Sequence, residues 1–534
     1  MSNWYEDAIF YHIYPLGFCG APKENTGEPV AYRLDKVLEL IPHLQEMRIG
    51  AVYFGPVFAS VSHGYDTTDY KTIDPRLGDN ASFRRICEAL HAAGIRVVLD
   101  GVFNHVGRQF PQFLDIQANG SASPYCGWFE NLNFGGQSPY GDAFWYEGWN
   151  GCFNLVKLNL RNPAVCDHLE DAVGYWMDEF GIDGIRFDAA DCINPDFFRR
   201  IRSFCKSRRP DFWLMGEIIH GDYTRWANPE MLDTVTNYEC YKGIYSSHND
   251  KNYFEINYSI NRQSGNGGIY KNFALYNFVD NHDVTRLASI LRNPADQQNV
   301  YTLLYTMPGI PSLYYGSEYG ITGNKSDGDD ALRPCFDLET MQQGNPALYQ
   351  HIVRLGTLYQ AYPALRTGQY ETIQIRNEQV LYRKTLDGAS LYVALNLADG
   401  AFDFRFPTEQ TSLTDVLSGQ AIPVANGEAC ATVPPHSGMI LAAVPAKAAP
   451  QQPDVPVAEP EAPTEPEVPV IGGRYRHFKG QEYRVLAVAK HSETLEPMVI
   501  YQALYGDGQV WARPLGMFLD TVDGAPRFAL LDKA

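Results

Sequence analysis

No stretch of this 534-residue chain approaches the roughly 18 consecutive apolar residues a membrane-spanning helix needs, so no membrane partner is expected. The opening string, MSNWYEDAIFYHIYP, has neither a basic leader nor a useful apolar run, and no signal peptide is expected. Paired cysteines are also missing. The ten Cys are scattered without C-x-x-C or other metal-type spacing, and read as reduced thiols of a cytoplasmic protein. Positive charge is scarce, with 43 Lys and Arg against 63 Asp and Glu and a formal charge of −20. Such a surface disfavours nucleic acid and anionic membranes, and fits a neutral partner.

What is present is a globular composition, 45% hydrophobic and 20% charged, in a chain long enough for several domains. Over the first 362 residues short apolar strands alternate with amphipathic helices. The strands are AIFYHIYP (8–15), GAVYFGPVF (50–58), IRVVLDGVF (95–103), DGIRFD (183–188), DFWLMGE (211–217), DTVTNY (233–238), FALYNFVD (273–280) and IPSLYYG (310–316). Eight strand–helix units predict an α/β fold, a (β/α)8 barrel, with the long gap at about 106–155 folded as an inserted subdomain. Residues 363–445 change to alternating patterns such as QVLYRKTL and FDFRF, which predict an antiparallel β-sandwich. Residues 446–470 are rich in Pro and Glu and predict an extended linker. Residues 471–534, with a Gly506-Asp507-Gly508 turn, predict a small all-β domain.

Barrel enzymes do their chemistry at the C-terminal ends of the strands. Here Asp100, Asp188, Glu217 and Asp283 stand at four such ends. A charge buried there costs stability unless it is paired or used. Arg186 lies two residues before Asp188, on the same strand face, and its guanidinium is expected to keep that carboxylate ionised, which suits a nucleophile. Glu217 sits among Trp213, Leu214, Met215, Ile218 and Ile219, where desolvation suits a general acid. Two carboxyls in unlike roles are the arrangement of a retaining glycosidase. A metal cluster is the alternative, but it would want several carboxylates or His converging without the Arg.

The strings DGVFNH (100–105), GIRFD (184–188), GE (216–217) and FVDNHD (278–283), followed by GIPSLYYGSE (309–318), occur in the order and spacing of glycoside hydrolase family 13. Residues 5–445 resemble this α-amylase family, whose members carry a barrel, an inserted domain B and a terminal sandwich. The resemblance implies that Asp188 is the nucleophile, Glu217 the acid/base, and Asp283 the residue holding the sugar's 2- and 3-hydroxyls. It implies that Arg186 orients the nucleophile and that His63, Tyr65, His105 and His282 contact the central sugar. Asp329 and Arg333, four apart in GDDALRP, are either a second sugar-binding pair or a loop salt bridge.

Within the family, LVKLNLRNP (155–163), HGYDTTDYKTIDPRLGD (63–79) and GEIIH (216–220) are similar to the neopullulanase, cyclomaltodextrinase and maltogenic amylase group. The expected activity is hydrolysis of α-1,4 bonds in maltooligosaccharides, cyclodextrins or starch fragments. A transglycosidase, a disaccharide-acting enzyme and a non-catalytic glucan-binding protein are the rival readings. Departures from the group are the early start of the barrel, which weakens the case for its dimer and leaves the oligomeric state open, Ile219 for Trp, and Val156 for Pro. Of the family's calcium positions Asn104 is kept, but Lys157 and Cys192 replace the Asp and His, so no cofactor and no metal are expected. Tyr125, Trp128, Phe129, Phe144, Trp145, Tyr146, Trp149 and Phe153 are expected to be mainly the inserted subdomain's core, with one or two facing sugar. Residues 473–525 resemble a small uncharacterised bacterial domain. There Tyr475, His477, Phe478, Tyr501, Tyr505 and Trp511 are read as core rather than as a sugar platform.

Overall fold

The computed structural model describes residues 3–443, 469–490, 497–522 and 525–532. The expected linker lies outside the described residues up to position 468. Two compact units are separated within that segment.

In the first unit eight short parallel strands form the expected barrel: β1 (Phe10–Ile13), β2 (Ala51–Phe54), β3 (Arg96–Gly101), β4 (Gly184–Phe187), β5 (Trp213–Gly216), β6 (Thr234–Val235), β7 (Tyr276–Phe278) and β8 (Ile310–Tyr314). They pair in the order β7-β8-β1-β2-β3-β4-β5-β6. A parallel bridge from Thr236 to Tyr276 joins the two ends and closes the ring. Phe10, Tyr53, Val98, Trp213, Met215, Tyr276, Phe278 and Ile310 pack together, and the Phe10 and Trp213 rings lie 4.8 Å apart. A barrel interior is a packed core, so these side chains make a rigid floor beneath the strand ends.

Six of the surrounding helices begin at residues whose side chains satisfy free backbone N–H groups. Asp79 accepts from the Ser82 N–H at 2.7 Å to start Asn80–Ala92. Asn162, Asn194, Asn237, Asn252 and Asn345 do the same for Pro163–Glu179, Pro195–Arg208, Tyr238–Asn249, Tyr253–Ser264 and Pro346–Ala361. One cap changes the expected map. The sequence pattern carries strand six through Tyr238, but the Asn237 cap ends it and makes Tyr238 the first residue of a helix.

Between β3 and β4 the chain forms a three-stranded antiparallel sheet (His105–Gly107, Cys152–Lys157, Gly148–Trp149) and the helix Pro111–Asn119. Of the eight rings expected there, Phe129, Phe144 and Tyr146 are buried and pack on Phe113; Tyr125, Trp128, Trp149 and Phe153 are half-buried, and Trp145 is exposed. After the barrel, a six-stranded and a three-stranded antiparallel sheet enclose Leu381, Tyr392, Phe404, Phe406, Ala431 and Leu441. The opposite face of the larger sheet, with Tyr382, Val393 and Leu395, joins the hydrophobic core of the barrel helices.

The second unit is a five-stranded antiparallel sheet with the helix Leu515–Leu519. Gly506 and Gly508 take φ of 56° and 63° in the turn between Pro497–Ala503 and Val510–Pro514, a conformation that glycine adopts without steric cost. Its six aromatic candidates divide, which corrects the reading of all six as core. Tyr475 and Tyr501 are buried, and His477 is half-buried. Phe478, Tyr505 and Trp511 are 43%, 47% and 51% exposed.

Candidate active site

Four charged side chains meet over the barrel floor, and Arg186 is their centre. It is the third residue of β4 and almost fully buried. Its Nη1 bonds Asp100 Oδ1 at 2.9 Å, Asp100 Oδ2 at 3.0 Å and Asp188 Oδ1 at 3.0 Å. Its Nη2 lies 2.8 Å from Glu217 Oε2. One guanidinium therefore holds three carboxylates. Tyr53 donates to Asp100 Oδ2 at 2.7 Å and fixes the base of the group.

Backbone pairing sets the height of the two central carboxyls. The Asp188 N–H donates to Gly101 O at 3.1 Å, and the Glu217 N–H to Phe187 O at 3.0 Å. Both residues thus stand one step past their strands. Ala189, next after the proposed nucleophile, has φ 44° and ψ 45°. A non-glycine residue there is strained, by roughly 1–3 kcal/mol. The strain turns the Ala189 N–H onto Glu217 Oε2 at 3.2 Å. The other oxygen, Oε1, faces the Tyr238 hydroxyl at 3.1 Å.

The expected division of labour, with Arg186 serving Asp188 and desolvation serving Glu217, needs correction. Arg186 serves both. Burial pushes the Asp188 carboxyl well up, Arg186 opposes this, and Glu217, Asp100 and Asp283 add to the rise. Three buried carboxylates share one guanidinium, so this cluster holds a proton above the usual carboxylate range.

Asp283 behaves differently. Burial pushes its carboxyl up too, but His282, Arg333 and Arg186 outweigh that and hold it well below the usual range. Its Oδ2 lies 3.0 Å from His282 Nε2, and its Oδ1 accepts from Arg333 Nη2 at 2.9 Å. Arg333 Nη2 also reaches Asp329 Oδ2 at 3.2 Å, and its guanidinium lies 4.6 Å from the centre of the Tyr14 ring. The Asp329–Arg333 pair is a salt bridge, and it continues into the site through Asp283. Asp329 itself is exposed.

The remaining expected residues line the same space. Tyr65 bonds Asp100 Oδ2 at 3.2 Å, contacts His282 Nε2 through its hydroxyl, and lies parallel to the His282 ring. His63 accepts from the Tyr65 N–H at 3.2 Å. His105 Nε2 is 3.9 Å from Asp188 Oδ2. Burial drives the His105 pKa down to about 3, which leaves a neutral ring. Trp149, half-buried, lies 5.5 Å from His105 and is the inserted subdomain's ring at this site. Tyr14, Tyr53, Tyr238 and Asn281 belong to the site but were not singled out from sequence. The inward alternation of β2 could have flagged Tyr53, and the helix cap at Asn237 could have flagged Tyr238.

The family's calcium ligands do not fit here. The Lys157 ammonium bonds Glu147 Oε1 at 2.7 Å, Asn104 Nδ2 bonds His105 Nδ1 at 3.1 Å, and Cys192 is an exposed thiol. A cation thus stands where an anionic ligand is required.

The profile of the alpha-amylase catalytic domain matches residues 12–346, and that of DUF1653, a family of unknown function, matches residues 473–530. A cyclomaltodextrinase of a Bacillus species is 32% identical over 419 residues, covering 74% of this chain and 73% of its own. The intracellular maltogenic amylase of Bacillus subtilis strain 168 is 29% identical over 417 residues, covering 74% and 69%. A solved cyclomaltodextrinase superposes with a TM-score of 0.72 at 27% identity, covering 82% of this chain and 78% of that one. With a closed eight-stranded barrel, its inserted subdomain and a carboxylate cluster at the strand ends, the chain belongs to the alpha-amylase family of glycoside hydrolases.

Proposed function

We propose that this enzyme is a retaining α-glucan hydrolase that cleaves α-1,4 bonds in cyclodextrins, maltooligosaccharides or starch fragments. The observation that carries the reading is the Arg186 fork, which bonds Asp188 at 3.0 Å and Glu217 at 2.8 Å. Two carboxyls on the two ends of one guanidinium favour the spacing of roughly 5–5.5 Å used by retaining enzymes over the wider gap that admits a water.

The roles follow from the bonding. Oε2 of Glu217 is ion-paired with Arg186 and accepts from the Ala189 N–H, which makes Oε1 the oxygen placed to deliver the acid proton. Glu217 gives that proton to the glycosidic oxygen while Asp188 attacks the anomeric carbon, using Oδ2, the oxygen that Arg186 leaves free. The glycosidic bond breaks, the leaving chain departs as an alcohol, and a glycosyl ester forms on Asp188. Glu217, now ionised, takes a proton from water as the water attacks the same carbon, and Asp188 is released. Asp283, kept ionised, accepts hydrogen bonds from two neighbouring sugar hydroxyls. His105 with its neutral ring, His63 and His282 supply further polar contacts, Tyr65 offers a ring face, and Asp329 and Arg333 are assigned to the non-reducing end.

The chemistry requires no metal or cofactor. The names of the relatives support a cyclic or linear maltodextrin as substrate, and the charge of −20 argues against nucleic acid. The ten free thiols and the B. subtilis relative, named intracellular, support a cytoplasmic location. Initial rates on β-cyclodextrin and maltoheptaose test the substrate assignment. Opening of the ring faster than the linear chain is expected. Cutting of the linear chain alone would restrict the enzyme to linear glucans, and no cutting of either would overturn the assignment.

A further inference from the structure

Resting on the assignment of Glu217 as acid/base, we infer that Tyr238, held by Asn281, is a positioning residue that sets the proton affinity of Glu217 Oε1. Tyr238 opens the helix Tyr238–Asn249 directly over the end of β6. Its place is fixed from three sides. Asn237, buried beneath it, caps the helix and bonds Asn277 Oδ1 at 2.8 Å and Gln263 Oε1 at 2.9 Å. The ring stands edge-on to Phe278 at 4.9 Å. Asn281 Nδ2 donates to the Tyr238 hydroxyl at 3.2 Å, while Asn281 Oδ1 accepts the Asp283 N–H at 2.8 Å.

The direction of these bonds determines the chemistry. Because Asn281 donates to the phenol oxygen, the phenol hydrogen is directed at its other neighbour, Glu217 Oε1, at 3.1 Å. That bond is strongest when Glu217 is ionised, and it competes with the acid proton for the same oxygen. Tyr238 therefore favours release of the proton in the first step and places Oε1 for the water in the second. Asn281 connects this device to the residue proposed to hold the sugar hydroxyls. The charged groups that act on Glu217 or on its neighbours Asp188 and Tyr238 are Arg186 and Asp188 from the β4 side, Asp100 from β3, and Asp283 from the β7 side. All of them remain in Tyr238→Phe.

The test is the pH dependence of kcat on maltoheptaose for the full chain carrying Tyr238→Phe, with Glu217→Gln as control. Loss of one hydrogen bond to a charged group should move the alkaline limb up by about one pH unit. A second protein with 3-fluorotyrosine at position 238, a stronger donor, should move the same limb down. A role in packing alone cannot give opposite shifts. Unshifted limbs in both proteins, with Glu217→Gln inactive, would overturn the inference and leave the acid/base assignment standing. An active Glu217→Gln enzyme would overturn the assignment itself. If Tyr238→Phe does not fold, the fluorotyrosine protein decides alone: a downward shift supports the inference and an unshifted limb overturns it.

Discussion

At the barrel mouth, Asp100, Arg186, Asp188 and Glu217 are all buried, and each carboxylate has the guanidinium as partner. In the sandwich, Lys384 is fully buried on the strand Gln379–Leu386, and its Nζ has no hydrogen-bond partner among the described residues. Burial drives its pKa down to about 7. The same desolvation cost is met in two ways. In the site, opposite charges and a shared proton offset it, and the remaining asymmetry between oxygens is the material of catalysis. In the sandwich no partner among the described residues offsets it, so the amine's hold on its proton weakens.

Breaking the first side of this comparison should have the largest effect. Glu217→Gln removes the exchangeable proton while keeping the shape, and kcat on maltoheptaose should fall by roughly 10²–10⁴-fold. A loss below tenfold would remove Glu217 from the mechanism. Arg186→Leu leaves three buried carboxylates unpaired and should cost about 3–5 kcal/mol in urea unfolding at neutral pH. Unchanged stability would mean that the cluster is not held by this fork.

Lys384→Met sharpens the other side, because it should stabilise the protein. The amine is depressed in the folded chain relative to the unfolded one, so the folded state loses stability as pH falls toward 7 and the full penalty is present below that. The gain in unfolding free energy, read by urea titration, should be largest at pH 7 and below, on the order of a few kcal/mol, and should shrink as pH rises toward 10. A pH-independent gain would show that Lys384 stays charged and finds a partner. Trp149→Ala should raise KM for maltoheptaose about three- to tenfold with a smaller change in kcat, the worth of one stacking ring. An unchanged KM would place Trp149 outside the sugar's path. Smallest of all, a chelator should leave the rate unchanged, since Lys157 pairs with Glu147 in the family's calcium position. A rate lost to chelator and restored by calcium would reveal a site of different construction.

Much of the fold was legible because each barrel strand is a short apolar run and each intervening helix shows its own periodicity. Asp188 and Glu217 were legible for the same reason, since a charge closing an apolar run is conspicuous, whereas Asp100 lies inside β3 and Asp283 stands five residues beyond the end of β7. What was hidden depends on contacts across the chain. Arg186 looked like a partner for Asp188 alone because the two are neighbours in sequence, whereas Asp100 and Glu217 reach it only once the barrel closes. Tyr238 was hidden because an apolar strand pattern ran into it, and only the Asn237 cap ends that strand. In the second unit, Trp511 pairs in register with buried Tyr501, but it lies on the edge strand Val510–Pro514, beyond which no further strand pairs among the described residues. Sequence alternation sees the face and not the edge.

The central claim is a double displacement on one pair of carboxyls bridged by Arg186, and the configuration of the first product tests it most directly. Proton NMR of maltoheptaose digestion, followed within the first minutes before mutarotation, should show the new reducing end appearing as the α-anomer. Initial appearance of the β-anomer would mean single displacement by water and would contradict the account.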